Sequence, residues 1–136
     1  MNSWKEMMVE GRKYLTTVSK AAGSKKFTPV LLYNLSTIAL EKYVMATCMI
    51  NNYLPENHTL TDLIYAVQRF VPIDTALQNS ILQYENVQQL CSMEDYQRHD
   101  ISPEDLEKFM ESVITFCNIL YNYCKEVENV GSPISD

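Results

Sequence analysis

Glycine and proline are scarce in this chain, three and five among 136 residues. So few backbone breakers exclude a collagen-like, linker-dominated or disordered protein and favour long helices. Basic residues are also in the minority, with 11 Lys and Arg against 17 Asp and Glu, a formal charge of −6 and an isoelectric point near 4.9. That is the wrong sign for a protein that clamps duplex DNA by its phosphates, although local contact with RNA or a nucleotide is still allowed. No stretch of about 18 apolar residues is free of charged or amide groups, so no membrane span is expected. Met1-Asn2-Ser3-Trp4-Lys5-Glu6 lacks the apolar core of a signal peptide, and a cytoplasmic location is expected.

Cofactor and metal chemistry is sparse as well. Gly11, Gly23 and Gly131 lie too far apart to form a phosphate-cradling loop. The four cysteines, Cys48, Cys91, Cys117 and Cys124, form no Cys-x-x-Cys pair, and each sits in an apolar context where a reduced thiol behaves as a small hydrophobe. The two histidines, His58 and His99, lie in polar stretches without a second ligand at zinc spacing. No cofactor and no metal are expected.

What the chain does contain is helical periodicity. At 46% hydrophobic and 21% charged, it is long enough to bury roughly two-thirds of its unfolded surface in one core. Trp4, Met7, Met8, Gly11, Tyr14, Leu15 and Val18 recur mostly at three- and four-residue spacing, after a Ser3/Glu6 capping pattern, giving a first helix to about residue 20. Thr28-Pro29 starts a second helix, expected to run to about residue 53. Residues 38–50 are apolar nearly all round, which marks either the central element of a bundle or an interface. Thr59 with Asp62 caps a short third helix, and Asp74 caps a fourth holding Ala76, Leu77, Ile81, Leu82, Tyr84 and Val87 and reaching as far as Cys91. Ser102-Pro103-Glu104-Asp105 opens the last helix, with its stripe of Leu106, Phe109, Met110, Val113, Cys117, Leu120, Cys124 and Val127. It is expected to end near Glu128. The reading is an all-α, up-and-down bundle of about five helices over residues 1–128, with a flexible tail at 129–136.

Three patches resemble a known family. Ala39-Leu40-Glu41-Lys42-Tyr43, preceded by Tyr33 and Leu35 and followed by Ala46, is similar to the second-helix signature of HEPN domains, the higher-eukaryote and prokaryote nucleotide-binding family. Pro55-Glu56-Asn57-His58-Thr59-Leu60-Thr61-Asp62-Leu63 resembles that family's Pro…His-x-Leu…Leu segment. Tyr96-Gln97-Arg98-His99-Asp100 resembles the Arg-Tyr-Pro-Asp loop before the last helix in one branch, departing from it at Gln97 and His99. The resemblance spans about residues 4–127. It implies a helical bundle, often a homodimer, that acts either as a ribonuclease or as the partner of a nucleotidyltransferase, as in toxin–antitoxin-type pairs.

The ribonuclease branch uses an Arg followed, after four to six residues, by a His. Here the arginines are Arg12, Arg69 and Arg98, and the only histidine after Arg98 is its neighbour His99. Adjacent residues do not share one helical face, so that motif is absent. The resemblance therefore implies a non-catalytic module that binds a nucleotide-like ligand or a nucleotidyltransferase partner. The alternatives are a divergent ribonuclease and a purely structural interaction protein. Glu41 and Lys42 stand on an otherwise apolar helix, where a charge must reach water or a partner such as Arg98. In the functional reading Glu41, Lys42, Arg98 and His99 line a polar groove, with Lys42 and Arg98 on a phosphate. His58 is expected to anchor its loop by bonding backbone. The last helix also carries Ile114, Phe116, Ile119 and Tyr123 beside its main stripe, an apparent excess of apolar surface that points to a homodimer.

Overall fold

A computed structural model describes residues 3–21, 26–85 and 101–131. They form five α-helices and, among the described residues, no strand: α1 (Ser3–Ala21), α2 (Pro29–Ile50), α3 (Leu60–Gln68), α4 (Thr75–Leu82) and α5 (Pro103–Gly131). None is long and apolar enough to cross a membrane.

The helix starts are local chemistry. Thr28 Oγ1 accepts the Leu31 N–H at 3.1 Å, with Pro29 supplying a helical φ and no donor to lose. Thr59 Oγ1 accepts the Asp62 N–H at 3.1 Å while its hydroxyl donates to the Asp62 carboxylate at 2.9 Å. Asp74 accepts the Ala76 N–H at 3.3 Å, and Ser102 accepts that of Asp105 at 3.1 Å. Glu104 and Asp105 then sit at the positive end of the α5 dipole.

α2 stops at Ile50, three residues before the expected end. Asn52 adopts φ 58, the left-handed region that asparagine tolerates, and its N–H bonds the Met49 carbonyl while the Tyr53 N–H bonds that of Cys48. This is a Schellman closure, and it throws the chain off the helix axis. The Asn51 amide holds it in place, donating to the Thr47 carbonyl at 2.9 Å and to the Tyr123 hydroxyl of α5 at 3.2 Å.

The all-round apolarity of α2 reflects a central position. α2 packs against α1, α5 and α3, and α4 lies against α5 and α3. Its buried residues therefore point in several directions, from Leu32 and Tyr33 through Leu40 and Val44 to Cys48. The hydroxyls caught inside bond back to their own helix, Ser36 to the Leu32 carbonyl at 2.8 Å and Thr47 to that of Tyr43 at 2.9 Å. Among the described residues no buried side-chain polar atom lacks a partner. Gly11 of α1 lies directly against α2. A Cβ there would stand 2.8 Å from the ring of Tyr43 and 3.1 Å from Lys42 Cβ, so the absence of a side chain sets the helix separation.

α5 differs from expectation in two ways. It continues to Gly131, so residues 129–131 of the expected tail are helical, and residues 132–136 lie outside those described. Its supposed surplus of apolar surface is used within the chain. Phe116 is fully buried, and Ile114, Ile119 and Tyr123 pack partly buried against the core. At the other end of α5, Phe109 stacks with Tyr33 at 4.7 Å and meets Tyr84 edge-on at 5.6 Å, while the Tyr33 hydroxyl donates to the Tyr84 carbonyl at 2.8 Å.

Candidate functional site

Of the five residues singled out from sequence, the fold joins two. Glu41, on α2, and His58, in the loop of residues 51–59 before α3, are hydrogen-bonded through Glu41 Oε2 and His58 Nδ1. Both side chains are partly exposed, 34% and 44%. His58 does anchor its loop, but to a carboxylate rather than to backbone, and it is the partner Glu41 requires. A carboxylate on Nδ1 fixes the ring and directs Nε2 outward as the free hydrogen-bonding nitrogen.

Lys42 goes elsewhere. Consecutive helical residues diverge by about 100°, and Lys42 Nζ turns to α1, where it pairs with Glu10 Oε1 at 3.1 Å. It shares no ligand position with Glu41. Arg98 and His99, with Cys91, lie outside the described residues.

The loop that carries His58 also walls a cleft of about 290 Å³ against α3. Tyr53, Glu56, Asn57, Asp62, Tyr65 and Arg69 line it. The Schellman turn at Asn52 sets Tyr53 in place. There its ring takes the Arg69 guanidinium at 4.5 Å and the edge of Phe70 at 5.9 Å. Asp62, Tyr65 and Arg69 are spaced by three and four along α3 and so share one face. Tyr65 is 69% exposed, so most of its surface is open to solvent. Asn57, the neighbour of His58 in the chain, lines the cleft, whereas Glu41 and His58 themselves do not. Tyr53, Tyr65 and Arg69 carry a signal in the sequence, the i, i+4 pair Tyr65 and Arg69, but nothing in the periodicity separates that pair from an ordinary solvated face.

The buried titratable groups are structural. Burial pushes the Tyr43 hydroxyl up to about 12 and the Cys48 thiol up to about 11, and Cys117 and Cys124 are raised for the same reason. These groups are neutral at physiological pH, and the thiols are poor nucleophiles. Among the described residues no group of three or more His, Cys, Asp or Glu side chains is arranged to hold a metal ion.

No known protein family, characterised protein or solved structure matches this chain.

Proposed function

We propose that the chain is a non-catalytic HEPN-like module that binds a nucleotide-like ligand in the cleft between the 51–59 loop and α3. The observation that carries the reading is the Arg69 guanidinium stacked on Tyr53 beside the exposed ring of Tyr65. An aromatic face accepts a base by stacking, and a guanidinium pairs with phosphate oxygens in a bidentate fork. Asp62 and Asn57 supply acceptors for the exocyclic amine of a base. The resemblance supports the same place, because Pro55, Glu56, Asn57 and Asp62 all belong to the segment that resembles the family's Pro…His-x-Leu…Leu motif. Catalysis is not part of the reading, since Arg98 and His99 are adjacent in the chain rather than four to six residues apart.

Calorimetric titration with a panel of nucleoside mono- and triphosphates tests it. Binding of at least one member is expected, weakened about tenfold by Arg69→Ala and by Tyr65→Ala, the loss of roughly 1.4 kcal/mol. If none binds at millimolar concentration, the cleft is not a nucleotide site. A nucleotidyltransferase that co-purifies with the chain and is released by the same substitutions would instead assign the cleft to a protein partner.

A further inference from the structure

The two walls of the cleft are held in different ways. Asp62, Tyr65 and Arg69 stand on α3 and are fixed by its backbone ladder, whereas Glu56 and Asn57 belong to the 51–59 loop. That loop starts firmly, because the Tyr53 N–H bonds the Cys48 carbonyl, the Tyr53 ring carries Arg69, and Pro55 is buried. Glu56 and Asn57 are exposed, and among the described residues neither makes a hydrogen bond or an ion pair. The next fixed point along the chain is His58, through Glu41 of α2. Among the described residues this is the only side-chain hydrogen bond that ties residues 54–58 to another element. Thr59 follows, with its hydroxyl already committed to capping α3.

We infer that Glu41 is a positioning residue for the cleft, acting through His58 to hold Glu56 and Asn57 in place without touching the ligand. That role rests on the nucleotide reading of the cleft, whereas the clasp itself can be measured without ligand. A carboxylate accepts but does not donate, so Nδ1 carries the proton and the bond has a fixed direction. Glu41 stands on α2, which α1, α3 and α5 all pack against, so the clasp refers the loop to the central helix of the bundle. The adjacent cation, Lys42, is drawn away to Glu10, which leaves His58 as the partner of Glu41. Without the clasp, Glu56 and Asn57 must be ordered afresh at each binding event, which lowers affinity although no ligand contact is lost.

Substitutions at the pair separate positioning from contact. His58→Ala and Glu41→Ala each break the bond, whereas His58→Asn loses Nε2 but keeps an amide nitrogen at the place of Nδ1. In calorimetric titration with guanosine and adenosine monophosphates, either Ala variant should bind about threefold more weakly, a modest loss because both side chains are partly exposed. His58→Asn should bind as the unsubstituted protein does, and the double Ala variant should lose no more than either single one. Without ligand, the backbone order parameters of Glu56 and Asn57 from ¹⁵N relaxation should fall in both Ala variants and hold in His58→Asn. Equal losses in His58→Asn and His58→Ala would make His58 a ligand contact and overturn the positioning role. Order parameters or affinity unchanged in Glu41→Ala overturn it as well. If neither monophosphate binds, the nucleotide reading falls, and the order parameters alone decide the clasp.

Discussion

Gly11→Ala separates two opposing effects at one atom. Alanine is the better helix former by about 1 kcal/mol, so on propensity alone α1 gains stability. The added Cβ, however, would stand 2.8 and 3.0 Å from Tyr43 Cδ1 and Cε1 and 3.1 Å from Lys42 Cβ. The Tyr43 ring is 3% exposed and cannot swing into solvent, and Lys42 Cβ is fixed to the α2 backbone. Relief therefore requires α1 to move off α2, which loosens the contacts of Met8, Leu15 and Val18. Overpacking of this kind costs about 1–3 kcal/mol, and with two rigid neighbours it outweighs the propensity gain, for a net loss of up to roughly 2 kcal/mol. Urea denaturation followed by circular dichroism measures it, and the melting temperature should drop by about 4 °C per kcal/mol. Thr16→Ala, exposed on the same helix, is the control and should stabilise by a few tenths of a kcal/mol. In a Tyr43→Leu background the Gly11→Ala penalty should shrink, since the ring that meets the new methyl group is gone. A Gly11→Ala protein that gains as much stability as propensity allows would refute the close crossing.

Two further outcomes follow from the core. Folding holds the protons of Tyr43 and Cys48 above their ordinary values of 10.0 and 9.0, so the unfolded chain releases them first as pH rises. The stability they contribute is complete below pH 9.0 and is lost up to about 12. Urea midpoints should fall across that interval, and less so in Tyr43→Phe; an equal fall in that variant would remove Tyr43 as a cause. Phe116 is fully buried, so Phe116→Ala should cost about 3–5 kcal/mol by denaturation, and Phe116→Glu should fail to fold rather than yield a folded monomer. A folded, monomeric Phe116→Glu protein by light scattering would return that side chain to an interface.

Helix number, type and starting points were legible in the sequence because they depend on groups within one turn. Thr28, Thr59, Asp74 and Ser102 each cap through an N–H two or three residues ahead, and no distant residue takes part. The all-round apolarity of residues 38–50 likewise announced a helix touched from several sides. Other features needed partners that periodicity does not name. Glu41 and His58 were each marked as candidates, but their pairing is created by the turn at Asn52, which brings a loop 17 residues away back onto α2. Tyr53, Tyr65 and Arg69 read as ordinary surface positions until that same turn sets Tyr53 beside α3. Gly11 looked like one more position on the first helix, and only its distance to Tyr43 gives it a role. Phe116 was misjudged for a related reason. An apolar stripe states that a surface must be covered, whereas the element that covers it is decided by how the helices pack.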